Sequence, residues 1–305
     1  MTRILLLLLL AACTAAPSPK IPVPSAAARL PALEAELREL IRGYAADTAE
    51  VAVAFKDLAG GDSLLIDAHT TMHAASTMKV PVMLELFRRA EAGELSLDEP
   101  VPVRNEFRSI ADGSSYSLTV SDDSEHGLYG QLGERVPLRR LMELMITHSS
   151  NLATNLLIDL ADPQRIARTL DEIGASEMRV LRGVEDIPAF ERGMNNSTTA
   201  YGFMKVLEGV AAGRVVSARS TEEMLRILEG QEFQEMIPAG LPPGTRVGNK
   251  TGWITRIQHD GAIVYPPNRP PYVLVVLTRG FTDRERAAEL GREISRRVYR
   301  ALTEG

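Results

Sequence analysis

The apolar positions of this chain change their spacing twice. From about Ala27 to Tyr44, leucines recur among interleaved acidic and basic residues, which predicts an amphipathic helix. Val51 to Phe55 is an unbroken apolar run, Gly60-Gly61-Asp62 is a turn signal, and Ser63 to Asp67 forms a second run, so this stretch predicts a β-hairpin. The spacing then lengthens. Val80, Met83, Leu84 and Phe87 stand at i, i+3, i+4 and i+7, as do Leu138, Leu141, Met142 and Met145, and again Ala153, Leu156, Leu157 and Leu160. Further helices are expected over about Pro163 to Ile173, Thr199 to Ala212 and Ser217 to Leu228. After Pro243-Gly244 the strand character returns in Thr245 to Lys250, Gly261 to Tyr265 and Tyr272 to Thr278. Arg284 to Leu302 closes as a helix with Ala287, Leu290, Ile294, Val298 and Ala301 on one side.

Strands at both ends with helices between them predict one sheet assembled from the two termini and a helical block inserted as a second domain. The expected division is residues 25–72 with 240–305 for the sheet domain and 73–239 for the all-helical domain. A ligand cleft is expected between them.

Composition narrows the function class. A chain of 305 residues can bury a large core, and 45% hydrophobic with 24% charged residues is ordinary for a soluble enzyme. The formal net charge of -6 argues against a nucleic-acid partner, which needs a clustered basic face. His69, His73, His126, His148 and His259 are not spaced as ligands on one helix face, which argues against a metallo-hydrolase. Residues 1–24 stand apart from the fold. Arg3, the apolar run Ile4 to Leu10 and the small residues that follow have the anatomy of a secretory signal. Leu10-Ala11-Ala12-Cys13 has the form of a bacterial lipoprotein cleavage site, with Cys13 the single cysteine; an ordinary cut near Ala16 is the alternative. The expectation is an exported, periplasmic protein anchored to the membrane through lipidated Cys13, with Thr14 to Pro24 as a tether and no intramolecular disulfide.

Three short motifs carry the chemistry. Ser76-Thr77-Met78-Lys79 opens a helical stripe, and Pro81 places the helix start close upstream. Residues i and i+3 share a helix face, so Lys79 can reach Ser76, whose hydroxyl needs a base to become a nucleophile. A lysine serves as base only when neutral, which requires burial or a nearby cation, and Lys250 can supply that cation. Ser149-Ser150-Asn151 lies between two helices, where a hydroxyl can relay a proton and an Asn can hold a substrate amide. Lys250-Thr251-Gly252 lies on a strand, where Lys and Thr can bind a carboxylate and Gly allows close approach to the backbone. Each motif alone also reads as a helix cap or a solvated strand edge; their order and placement together point to serine acyl transfer.

These residues resemble the penicillin-recognising serine enzymes, most closely the class A β-lactamases, over about Ala27 to Leu302. The resemblance implies an α/β (α+β) fold of the β-lactamase/DD-peptidase type, an antiparallel sheet flanked by helices plus an inserted all-helical domain. It implies Ser76 as the acylated nucleophile, Lys79 as its helical partner, Ser149 as proton shuttle and Asn151 as a substrate contact. Lys250, Thr251 and Gly252 are implied in substrate binding, with the Trp253 and Ser76 N–H groups as oxyanion donors. Glu185, thirty-six residues beyond Ser149, is similar in position to the glutamate that activates the deacylating water, with Asp186 and Glu191 as rival acids. A monomer with no cofactor, acting on a small β-lactam or a cell-wall peptide, is expected. A D-alanyl-D-alanine peptidase and a silent envelope lipoprotein are the rival readings. Ser150 stands where class A enzymes usually have Asp, and Ala189 where they have Asn. Between Phe107 and Glu134 lies an extra polar stretch, including Asp122-Asp123, expected to roof the cleft.

Overall fold

Along the strand Glu50–Asp57 (β1), Val51, Val53 and Phe55 join one hydrophobic cluster, while the alternate Ala52 and Ala54 join another. A strand whose two faces are both apolar is covered on both sides. The computed structural model describes residues 26–45 and 49–304. The expected signal, Cys13 and the tether, residues 1–24, lie outside the described residues. β1 belongs to a five-stranded antiparallel sheet with Ser63–Ile66 (β2), Arg246–Ile254 (β3), Ile257–Tyr265 (β4) and Tyr272–Arg279 (β5), in the order β2-β1-β5-β4-β3. The two ends of the chain therefore build one sheet, with β1 paired directly to β5.

One face carries the first helix, Ala26–Tyr44 (α1), and the last, Arg284–Thr303, whose Ala287, Leu290, Ile294 and Val298 pack in the same cluster as Val53, Phe55 and Val276. The other face meets the helical block. That block contains Lys79–Glu91 (α2), Leu138–Thr147 (α3), Asn151–Ala161 (α4), Pro163–Glu172 (α5), Ile187–Glu191 (α6), Ala200–Ala211 (α7) and Ala218–Glu229 (α8), followed by the closing helix, α9. α2 is its axis: every residue from Lys79 to Phe87 is buried. α7 lies so close to the sheet that a Cβ on Gly261 would come within 2.3 Å of the Phe203 ring.

The strands differ from their expected limits. β3 runs on to Ile254 and β4 begins at Ile257, so Gln258, His259 and Asp260 are buried within a strand that was expected to begin at Gly261. Ladder hydrogen bonds to β3 and β5 extend the pairing past the apolar run that alone signals it. The stretch from Phe107 to Glu134 forms a small pairing of Phe107–Arg108 with Ser115–Tyr116 and two short 3₁₀ turns. Among the described residues no helix is long and apolar enough to cross a membrane.

Candidate active site

Ser76 sits in a 3₁₀ turn, Ala75–Met78, which leads directly into α2. Ala75 has φ +46°, a left-handed conformation that costs a non-glycine residue energy and holds the next side chain away from the regular helix surface. Ser149 and Glu185 share this feature, at +57° and +61°. Strain of this kind at three candidate positions is what a pre-set site stores. Strand β3 crosses directly beneath the Ser76 turn. A Cβ at Gly252 would lie 2.9 Å from the Ser76 nitrogen, so only glycine permits this approach and brings the following Trp253 beside the nucleophile.

The two lysines meet at one hydroxyl. Lys79 Nζ donates to the Ser149 carbonyl at 2.6 Å and lies 3.2 Å from Ser149 Oγ and 3.1 Å from Asn151 Oδ1. Lys250 Nζ lies 3.1 Å from the same Oγ and 2.9 Å from the Thr251 carbonyl. Both lysines are 0% exposed. Burial lowers Lys79 to about 7, against the pull of Asp123 and Glu185 in the other direction. Burial, and then the neighbouring Lys79, pushes Lys250 well below its ordinary value, with Asp260 opposing. Two buried lysine amines thus meet one hydroxyl, Ser149 Oγ. Thr251 Oγ1 is buried without a protein partner, an acceptor site left open on the same strand.

Ser76, Ser149, Asn151, Glu185 and Trp253 line one cavity of about 440 Å³; Lys79 and Lys250 are buried behind this lining and reach it through Ser149 Oγ. Glu185 Oε1 accepts from Asn151 Nδ2 at 3.2 Å, and partial burial raises its pKa. Of the rival acids, Asp186 also lines this cavity and Glu191 does not. Asp186 is buried and accepts from Ser109 Oγ at 2.6 Å and the Ile110 N–H at 3.0 Å, which ties its loop to the extra stretch. Glu191 is exposed and does not line the cavity.

The model of the β-lactamase enzyme family matches residues 32–302. The chain belongs to this family. A β-lactamase of Streptomyces fradiae is 27% identical over 232 residues, which cover 68% of this chain and 76% of that protein. The solved structure of PBP-A is 25% identical with a TM-score of 0.76, over 90% of this chain and 97% of that one. An ancestral class A β-lactamase, at 24% identity and a TM-score of 0.75 over 88% of this chain and 99% of its own, shares the fold. The antiparallel sheet and helical block expected from the motifs are therefore those of the class A enzymes, and this family member is a hydrolase.

Several nearby cations and acids lie off the cavity. Arg279 is held by Glu50 at 2.6 Å, and Arg256 by the Gly280 carbonyl at 2.9 Å, so neither points into the cavity. His259 and Asp260 do not form a pair: His259 Nε2 contacts the His73 carbonyl at 3.0 Å, whereas Asp260 accepts from the Ile237 N–H and Asn249 Nδ2 on the other face of the strand. Two residues support the site although neither was a candidate for it. Asn155, one turn beyond Asn151, holds the Glu185 loop by accepting the Val184 N–H at 2.7 Å and donating to the Val184 carbonyl at 3.0 Å. Its signal was a polar residue on the buried stripe of an apolar helix. Asp123 is the other. Among the described residues no group of His, Cys, Asp or Glu is placed to hold a metal ion.

Proposed function

We propose that this protein is a serine β-lactamase that opens the lactam amide through an acyl-enzyme on Ser76. Lys79 in its neutral form takes the Ser76 proton as Oγ attacks the carbonyl carbon. The Ser76 and Trp253 N–H groups face the oxyanion, and the start of α2 favours negative charge there. As the C–N bond breaks, the Ser149 hydroxyl passes a proton from Lys79 to the departing nitrogen. Lys250 and Thr251 hold the substrate carboxylate, and Asn151 the side-chain amide. Glu185 then takes a proton from a water molecule, which attacks the ester carbonyl; as the C–O bond breaks that proton passes on to Ser76 Oγ, restoring the hydroxyl and the carboxylate and releasing the opened acid. The observation that carries this reading is the contact of two buried lysine amines with one hydroxyl, Ser149 Oγ.

The cavity rim supports a substrate with an apolar side chain. Ile187 and Phe190 on α6 are 54% and 50% exposed, and Trp253 and Ile254 across from them are each 42% exposed, all four lining the cavity. The signal anatomy of residues 1–24 supports a lipid-anchored protein that meets its substrate outside the cytoplasm. Incubation of the purified protein with a chromogenic cephalosporin, following both colour and protein mass, tests the reading. Turnover is expected. A persistent adduct on Ser76 indicates a peptidase that β-lactams trap, and the absence of both turnover and adduct overturns serine acyl transfer.

A further inference from the structure

Asp123 lies in the extra stretch, far in sequence from any of the three motifs, yet it is only 4% exposed. Its carboxylate accepts the Asn151 N–H at 2.9 Å and the Leu152 N–H at 2.8 Å, the first two backbone donors of α4. It also accepts from the Tyr129 hydroxyl at 3.1 Å, the Glu125 N–H at 3.1 Å and, more weakly, Ser150 Oγ at 3.4 Å. Ser150 is itself the cap of α4, its Oγ accepting the Ala153 N–H at 3.1 Å. A serine at 150 satisfies one backbone donor; the negative charge and the remaining acceptors come from Asp123. From there the contacts lead straight to the chemistry. Asn151, pinned through its N–H, offers Oδ1 to Lys79 and Nδ2 to Glu185.

We propose that Asp123 is a positioning residue for both half-reactions: by clamping the start of α4 it keeps Ser149 and Asn151 in register with Lys79 and Glu185. The proposal rests on the serine-hydrolase reading of the same site. A neutral amide cannot replace the carboxylate, because its NH₂ group would face N–H donors that need an acceptor. The charge also matters at a distance. Lys79 is faced by Lys250 from β3 and by Asp123 and Glu185 from the two loops, with Asp260 acting behind Lys250. Removing the Asp123 charge removes one of the two groups that favour the Lys79 ammonium, so neutral Lys79 persists to lower pH.

The test compares wild type, Asp123→Asn, and Asp123→Asn combined with Ser150→Asp, which returns a carboxylate to the helix start from the cap itself. Acylation of Ser76 by a chromogenic cephalosporin is followed by rapid-quench mass spectrometry across pH, and melting is measured alongside. Asp123→Asn is expected to acylate ~100-fold more slowly, the scale of a misplaced reacting group, with the acid limb of its pH profile moved downward. The double variant is expected to recover most of the rate and return the limb. An Asp123→Asn protein that acylates at the wild-type rate with an unmoved limb overturns the proposal. If the single variant fails to fold, the double variant decides: folding with acylation restored supports the proposal, and folding without it overturns it. Failure of both to fold makes Asp123 a folding element only and also overturns it. Wild type that forms no adduct instead refutes the hydrolase reading on which the proposal stands.

Discussion

A fully buried lysine is among the least favourable side chains to place in a protein interior unless it is neutral or fully partnered. Lys79 is partnered and shifted toward the neutral form: three oxygen atoms surround its Nζ, and burial lowers its pKa to about 7. A base acts in its deprotonated form, so the acylation rate is expected to climb as pH rises through about 7 and level above it. Replacing Lys79 with Ala is expected to slow acylation by ~10²–10⁴, the usual worth of a positioned base, and to abolish that limb. A surviving limb would assign the titration to another group. Glu185→Gln is expected to act on the second step alone. Acylation should proceed, turnover should fall by a similar ~10²–10⁴, and the adduct on Ser76 should accumulate; turnover at the wild-type rate would remove Glu185 from the mechanism.

At the scale of elements, two glycines on neighbouring strands separate catalysis from stability. A Cβ at Gly252 would press on the backbone nitrogens of Ser76 and Thr77, at 2.9 and 3.1 Å, and neither can step aside without moving the nucleophile. Gly252→Ala is expected to cut acylation by ~100-fold, more than its loss of melting temperature accounts for. A Cβ at Gly261 would instead strike the Phe203 ring on α7, and Gly261→Ala is expected to cost ~1–3 kcal/mol by denaturant unfolding while folded enzyme keeps its rate. Equal losses of rate and stability in both variants would refute the distinction. The same scale shows what was legible in the sequence. The β1–β2 hairpin, the stripe of α2 and the three motifs were readable because each is written within a few consecutive residues. Asp123 and Asn155 were not, since their meaning lies in donors 28 and 29 residues away in the chain. The burial of Gln258, His259 and Asp260 escaped for a related reason: partner strands, not their own side chains, make them part of β4.

Across the whole molecule, groups buried for function leave a mark on stability. Asp260 lies under Lys250 on the neighbouring strand, and burial raises its carboxyl to about 7 despite hydrogen bonds from Asn249 and Ile237. An acid whose folded pKa lies above its unfolded value stabilises the fold fully below about 4 and loses that contribution as pH rises to about 7. Lys79 has the opposite sense. Its folded pKa is lower than the unfolded one, so its contribution is complete above about 10.5 and is lost as pH falls to about 7. The raised Glu185 and lowered Lys250 reinforce the two trends. Together they place the least favourable point of this buried set near neutral pH, where the acid is losing its proton and the amines are gaining theirs. Asp260→Asn keeps an acceptor for the Ile237 N–H, turns a donor toward Asn249 as the protonated carboxyl does, and removes the carboxyl's titration. It is expected to leave melting at pH 4 nearly unchanged and to stabilise the protein near pH 7 by on the order of 2 kcal/mol, given that each tenfold change in proton affinity between folded and unfolded chain is worth ~1.4 kcal/mol. Melting curves across pH 4 to 9 decide the matter: an equal effect of the substitution at every pH would mean that the Asp260 proton is not linked to folding.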